Sequence, residues 1–321
     1  MADSIISTYS NSSSGVLEMS DTIFEDVEGV IQNISPHDTP FLAAIGKAKA
    51  TNTLHEWLED SLKQPTGANA AVEGADATAT DRDAPERLNN YTQIFEDTFL
   101  VSGTLDAVNT IGRKEQSKHE LGKSMKYLAM EQEYSFLNNS TASAGTASAG
   151  RTAKGLNGWV ETNDDYYATY NSANDFSESD LMKMAEDCYG AGGNPSMLMV
   201  PPRQARVIAD WDQNSRVVVN TNASEKTLVM AVMVLETPYG KMKVVIDRWI
   251  KPTTVSSGVT SDTTFLIDPT RFKVAYLRPM KTSELAKTGD SRKYQSIVES
   301  TLVCHNEEAA AKCDNIASPD A

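Results

Sequence analysis

The residues most able to do chemistry are cysteines and histidines near the end of the chain. Cys304 and His305 are adjacent, and Cys313 follows a few residues later. Three soft ligands without the paired spacing of a structural zinc site argue against a metal. With Cys188 as the only other cysteine, the pattern predicts buried thiols in a reducing compartment and no disulfide framework. His37, His55 and His119 stand too far apart to suggest a shared site.

Acidic pairs and glycines are equally weak candidates. Asp164-Asp165 and Glu307-Glu308 are neighbours in sequence, and neighbouring side chains point in different directions on most backbones. The Gly190–Gly193 stretch follows a predicted helix, whereas a phosphate-binding loop precedes one. No P-loop, zinc-protease or nucleophile-elbow motif occurs. We therefore predict no enzyme, cofactor or metal; a hydrolase whose catalytic groups meet only in space is the residual alternative.

Charge is unevenly distributed along the 321 residues. The net charge is -15, and residues 1–100 hold 17 acidic against 5 basic side chains. An acidic chain gains no counterion release on phosphate, which argues against a dedicated nucleic-acid-binding protein. No apolar run is long enough for a membrane helix, and the N-terminus lacks a secretory pattern, so we expect a cytosolic product with no membrane contact. The acidic third is either a solvated extension or a surface that meets a basic patch on another subunit.

The elements that would position any site begin with an arm. Helical spacing predicts a short amphipathic helix over 20–33, behind a mobile Ser/Asn-rich start. Pro36 and Pro40 then impose extended backbone. Strands are predicted at 53–58 and 91–101, joined by about thirty polar residues. Because such long connections are unusual in compact domains, we interpret them as a long projecting hairpin.

A spine helix is predicted from about Arg113 to Asn138. Its expected apolar stripes are Leu121, Met125 and Leu128 on one side, and Tyr127, Met130, Tyr134 and Leu137 on the other.

Further along, Ser177 and Asp180 form a capping box for a helix that ends at Gly190. A strand at 197–200 and a helix from Pro202 to Trp211 should follow. The remaining predictions are a hairpin of 229–235 with 241–246, and strands at 265–268, 272–277 and 294–303. Segregated helices and strands without a βαβ series define an α+β fold.

Several short motifs are distributed over about residues 30–308. They include Asn33-Ile34-Ser35-Pro36-His37-Asp38-Thr39-Pro40-Phe41-Leu42, Thr53-Leu54-His55-Glu56-Trp57, Asn69-Ala70-Ala71-Val72-Glu73-Gly74-Ala75-Asp76, Lys154-Gly155-Leu156, Asp247-Arg248-Trp249 and Ala275-Tyr276-Leu277-Arg278-Pro279. These motifs resemble those of one protein family, the major head proteins of tailed bacteriophages. The resemblance implies the Hong Kong 97-type capsid fold. Its expected parts are an N-terminal arm at 1–50, an extended loop at 51–104, a peripheral domain with the spine helix at 105–159, an axial domain at 160–260, and peripheral return strands with the C-terminus at 261–321.

The function that the resemblance implies is self-assembly into hexamers and pentamers of an icosahedral virion shell. Such a shell would enclose phage DNA without reading its sequence, after synthesis in the host bacterial cytoplasm. Expected partners are copies of the chain, a separate scaffolding protein unless the chain is already processed, a portal and decoration proteins. No isopeptide crosslink through Lys63 is expected. The alternative, from another class, is a head-decorating or other virion binding module, which would leave the long arm and polar hairpin without partners.

The charge pattern suggests where subunits meet. Residues 51–100 hold ten acids and three bases, whereas the start of the spine helix is basic. We hypothesise that the hairpin of one subunit docks on a neighbour's spine helix, and that assembly weakens in high salt. The candidate contacts are His55, Trp57, Glu59, Asp60, Glu73 and Asp76 on the hairpin, and Arg113, Lys114, Lys118, Lys123 and Lys126 on the helix.

Overall fold

The computed structural model describes residues 36–63, 65, 67, 70–74, 76, 82, 84–108, 116–164, 176–211, 234–254, 260–287 and 289–317. The helix predicted at 20–33 lies outside them. The described helices are α1 (Pro40–Ala44), α2 (Gly103–Ala107), α3 (Gln116–Asn138), α4 (Leu156–Trp159), α5 (Glu178–Gly190) and α6 (Pro202–Asp210). The strands are β1 (Gly46–Lys49), β2 (Leu54–Glu59), β3 (Glu86–Tyr91), β4 (Gln93–Ser102), β5 (Met197–Val200), β6 (Val234–Thr237), β7 (Gly240–Ile246), β8 (Thr253–Thr254), β9 (Thr260–Ile267), β10 (Phe272–Glu284), β11 (Ser291–Cys304) and β12 (Ala311–Ala317).

A four-stranded sheet carries the spine helix α3. Its strand order is β1-β10-β11-β4, with β1 parallel to β10 and the other pairs antiparallel. Phe95 on β4 meets Phe136 on the helix edge-to-face, with ring centroids 5.9 Å apart. Leu128, Phe136 and Leu137 are fully buried, so this helix covers one face of the sheet.

The spine helix buries a more polar face than its sequence predicts. Leu128 and Leu137 are buried as expected, but the predicted packing of Met125, Tyr127 and Tyr134 is wrong, because these side chains are exposed within the subunit. Their place in the interior is taken by Ser124, Gln132, Glu133 and Ser135. Polar groups can be buried when they find hydrogen-bond partners. Distant residues supply these partners for Gln132, Glu133 and Ser135.

A six-stranded sheet forms the second layer. Its path is β12-β9-β5-β7-β6, with β8 paired to β9. Successive side chains of a strand point to opposite faces, so Met197 and Met199 enter the core shared with the spine helix, whereas Leu198 and Val200 pack towards α5 and α6. The predicted capping box of Ser177 is present, and β6 and β7 pair as the predicted hairpin. Of its predicted first strand, residues 229–233 lie outside the described residues. Because only β5 and β7 pair in parallel here, the α+β fold is confirmed.

Two strands of this second sheet come from the last part of the chain. β12 and all of β9 except Thr260 lie within 261–321, the range expected to return to the peripheral domain. They pair with each other, and β9 also pairs with β5. In the same range, β10 and β11 pair in the sheet under the spine helix. The assignment of this range to a domain stays a prediction.

The projecting hairpin has a different second strand from the one predicted. β2 pairs antiparallel with β3, whereas β4 pairs with β11. The predicted partner at 91–101 is thus wrong, and the real partner lies inside the interval that looked structureless. The reason is that β3 is held by polar contacts with distant residues and carries no apolar alternation of its own.

Candidate functional site

The inner face of the hairpin is anchored on its own subunit by an aromatic cluster. Alternation along β2 turns His55 and Trp57 inwards. The Trp57 indole N–H donates to the Cys304 carbonyl oxygen at 2.9 Å, and its ring lies 5.5 Å from Trp159 and 6.2 Å from His305. Partial burial lowers the pKa of both His55 and His305, so the cluster favours neutral histidines.

Polar side chains complete this attachment. Asn90, fully buried on β3, donates from its amide nitrogen to the carbonyl oxygens of Lys154 at 2.9 Å and Leu302 at 2.8 Å. Its amide oxygen accepts the Lys154 backbone N–H at 2.9 Å. Glu59 accepts the backbone N–H of Asn306, a residue with a positive φ of 72°. Two separate stretches of the chain, at Lys154 and at 302–306, are therefore tied to the hairpin base.

The joint between the hairpin and the four-stranded sheet is an ionic cluster around the buried carboxyl group of Glu299. Thr92, between β3 and β4, donates to Glu299 at 2.9 Å, and its carbonyl oxygen accepts from Arg151 at 3.1 Å. Glu299 also binds Arg151 at 2.6 Å and Arg278 at 2.7 Å. Burial alone would raise the pKa of Glu299, but the hydrogen bonds from Thr92, Arg278 and Arg151 outweigh it and lower the pKa. Sequence reasoning missed this cluster because its members are far apart in the chain.

The outer face and the tip of the hairpin remain exposed. Leu58, Leu62 and Val72 have exposed fractions of 65%, 89% and 79%. The predicted tip contacts in the same exposed region are Asp60, Glu73 and Asp76. Of the six predicted hairpin contacts, His55, Trp57 and Glu59 thus have partners within the subunit, whereas the other three face solvent. A role between subunits stays a prediction for all six.

The basic side of the spine helix is also exposed. The exposed lysines that the structure describes there are Lys118, Lys123 and Lys126. Lys123 forms an ion pair with Glu120 at 2.9 Å on the same helix. Arg113 and Lys114 lie outside the described residues. Between the lysines, Met125 and Tyr127 present apolar surface with exposed fractions of 41% and 44%.

The candidates for chemistry are dispersed or buried. All three cysteines are free and buried, and burial raises the pKa of Cys188 to about 12 and that of Cys304 further. Within the described parts of the chain, no three His, Cys, Asp or Glu side chains are grouped as metal ligands would be. No described helix is both long and apolar enough to cross a membrane. The features that stand out are instead the exposed apolar and charged side chains of the hairpin and the spine helix.

A spine helix on one sheet, a second sheet layer and a long projecting hairpin define the class of shell-forming capsid subunits. The chain belongs to the SU10 major capsid protein family, whose model matches residues 5–317. It is 25% identical to the major capsid protein of Escherichia phage Phieco32, over 87% of this chain and 90% of that protein. The predicted family resemblance and function as a shell-forming major capsid protein of the virion are confirmed.

The same fold recurs at much lower identity. The capsid of a native GTA particle shares 10% identity with a TM-score of 0.66, covering 93% of this chain and 97% of that one. The holo-SrpI encapsulin complex from Synechococcus elongatus shares 9% identity with a TM-score of 0.60, covering 94% of this chain and 95% of that one. These likenesses confirm the Hong Kong 97-type fold.

Proposed function

We propose that the hairpin of one subunit lies across the spine helix of a neighbouring copy, and that this contact builds hexamers and pentamers of an icosahedral head around phage DNA. The observation that carries this proposal is the division of the hairpin into two faces. Trp57, Glu59 and Asn90 on the inner face contact their own subunit. Leu58 and Leu62 are left for an external partner.

The two surfaces match in chemistry. The hairpin combines exposed apolar side chains with acids, and the spine helix combines exposed Met125, Tyr127 and Tyr134 with lysines. Apolar contact would supply most of the association free energy, while the ion pairs at its rim would set register and association rate. This pattern fits a second copy of the chain better than a nucleic acid, because the hairpin is acidic.

The remaining assignments follow from this arrangement. The arm at 1–50, the extended loop at 51–104, the spine-helix region at 105–159 and the axial domain at 160–260 would keep the roles implied by the capsid fold, with 261–321 divided between both sheets. A separate scaffolding protein, a portal and decoration proteins would assemble with the shell. The chain would act without catalysis after synthesis in the host cytoplasm. Membership in a major capsid protein family favours this role over a head-decorating module.

Charge exchange tests the docking. The double variant Lys118→Glu/Lys123→Glu should stop closed shells from forming, because like charges then face each other, while thermal unfolding stays near wild type for these exposed positions. Asp60→Lys/Asp76→Lys should do the same. Combining the two double variants should restore shells, as counted by electron microscopy and sedimentation.

A mismatched combination provides the control. Lys241→Glu/Lys243→Glu also reverses two exposed lysines, on β7 far from the spine helix in sequence. Combined with the hairpin reversal, it should not restore assembly. Normal shells from Lys118→Glu/Lys123→Glu would contradict the docking, as would equal rescue by the mismatched set.

A further inference from the structure

Three distant segments meet at one buried carboxyl group on the spine helix. Glu133 is fully buried. Its two carboxyl oxygens accept the backbone N–H groups of Phe41 at 2.6 Å and Leu42 at 2.8 Å, both in the arm helix α1. The third segment, which follows β7, contributes Asp247, whose buried carboxyl group lies beside that of Glu133 and perturbs its pKa. The arm is therefore attached to the body through an acidic side chain.

Asp247 is fully buried and accepts a hydrogen bond within the turn after β7. This turn contacts the arm through Trp249. One oxygen of Asp247 accepts the Trp249 backbone N–H at 2.9 Å, and the Trp249 indole N–H donates to the Asp38 carbonyl oxygen at 2.7 Å. The other oxygen of Asp247, Oδ2, is buried and has no hydrogen-bond partner among the described residues. The neighbouring acidic group is the carboxyl group of Glu133.

Two carboxyl groups can form a hydrogen bond to each other only when one of them carries a proton. Glu133 and Asp247 can therefore be joined by a hydrogen bond only as a pair that shares one proton, while the oxygens of Glu133 also accept the Phe41 and Leu42 amide hydrogens. Burial raises the pKa of Glu133 to about 8, reinforced by the charge of Asp247 and opposed by the two amides. Burial likewise raises the pKa of Asp247, against its bonds to Trp249 and Glu133. The pair therefore titrates as one unit that retains a proton near neutral pH.

The charged groups on the surrounding elements do not neutralise this pair. On the arm, Asp38 faces Arg248 at 3.9 Å, and both side chains are mostly exposed. On the sheet side of the spine helix, Glu299 is engaged by Arg151 and Arg278. Neither Glu133 nor Asp247 forms an ion pair with a lysine or arginine among the residues described.

We propose that the proton shared by Glu133 and Asp247 is a latch that holds the N-terminal arm on the spine helix. With the proton present, one hydrogen-bonded unit joins α1, α3 and the turn after β7. Without it, two adjacent buried negative charges repel each other and favour release of α1. Since the retained proton belongs to the docked state, docking is strongest at acidic pH and weakens as pH rises from the ordinary carboxyl range to about 8.

Hydrogen–deuterium exchange of the full-length chain tests this latch. After correction for intrinsic exchange, protection of residues 40–45 should fall by up to about tenfold per pH unit between pH 5 and 8. Asp247→Asn places an amide N–H at the position of Oδ2, so a hydrogen bond to Glu133 no longer needs a shared proton, and it leaves an oxygen for the Trp249 N–H. In this variant, protection of the segment should stay constant over the same pH range.

A surface variant and a second latch variant complete the experiment. Asp38→Asn removes the exposed charge at the same junction and should retain the wild-type pH response. If Asp247→Asn fails to fold, Glu133→Gln replaces the same proton, with one amide acceptor lost, and should also remove the pH response. Constant protection in the wild type, or an unchanged pH response in the latch variants, would overturn the proposal.

Discussion

The hairpin and the arm are attached to the same body by different chemistry. The hairpin base is held by the neutral amide of Asn90 and by the Trp57 cluster, whose histidines favour the uncharged form. The arm is held by Glu133 and Asp247, which favour a shared proton. Acid should therefore loosen the hairpin base and strengthen arm docking, so one subunit carries two attachments that respond to pH in opposite directions.

The hairpin and the arm also differ in how much of their surface is exposed. The inner face of the hairpin contacts its own subunit, whereas Leu58 and Leu62 are exposed. Exposed apolar side chains of this kind are typical of surfaces that bind another protein. By contrast, α1 buries Phe41 in the main core and is capped by a side chain of the spine helix. The described part of the arm is thus integrated into the body, whereas the hairpin is a projection with a firm base.

The largest effect should come from Asn90→Ala. This change removes three hydrogen bonds at a fully buried site and leaves two carbonyl groups and one N–H unpaired, which should lower the free energy of unfolding by about 3 kcal/mol or more. Denaturant unfolding measures this loss. The matched control is Asn89→Ala on the exposed face of β3, which should change stability by less than about 0.5 kcal/mol. Equal effects would show that the amide clamp does not anchor the hairpin.

An intermediate effect is expected for Trp57→Phe. The ring contacts are largely kept, but the hydrogen bond to the Cys304 carbonyl oxygen is lost, at a cost of about 1 kcal/mol. Exchange protection of 54–59 and 86–91 should fall, while that of 40–45 should not. Leu58→Ala is the comparison on the outer face. It should leave subunit stability nearly unchanged and reduce shell formation. Loss of subunit stability with normal shell formation would instead show that Leu58 packs within its own subunit.

The smallest effect should be the response of the hairpin base to acid. His55 and His305 have lowered pKa values, so the stability they contribute is present while they are neutral and is lost as pH falls below the ordinary histidine range. Because both are partly exposed, the loss should be modest. Exchange protection of 54–59 should decrease from pH 7 to pH 5 and should decrease less in His305→Gln. If the exchange protection of 54–59 decreased at alkaline pH instead, the hairpin base and the arm would respond to pH in the same direction.

Helix ends, turns and strands that are specified by neighbouring residues were predictable from the sequence. The Ser177 capping box, the helix after Pro201 and the turn at 238–240 depend on residues within a few positions of each other. The strand at 197–200 was equally clear, since a short apolar run there is buried on both faces. The acidic tip and the lysines of the spine helix could likewise be named before the structure was known, although their contact between subunits stays a prediction.

Strands and buried faces that depend on contacts with distant residues were not predictable from the sequence. β3 looks like a polar loop because Asn90 finds its partners at Lys154 and Leu302, 64 and 212 positions away. Met125 and Tyr127 look like core residues because their spacing is helical, yet α3 buries Gln132 and Glu133 instead. A single sequence shows the periodicity of a helix, but not which of its faces meets hydrogen-bond partners.

The sequence by itself determined the class of this protein, through its family motifs, its acidic first third and the positions of its three longest helices. Only the tertiary structure decided which surfaces are internal and which are free for assembly. The physical reason is that a buried polar side chain is stable only where its partners converge, and these partners come from remote parts of the chain. Glu133 shows this most clearly, because it is an ordinary helical acid in the sequence and becomes the attachment point of the arm through Phe41, Leu42 and Asp247.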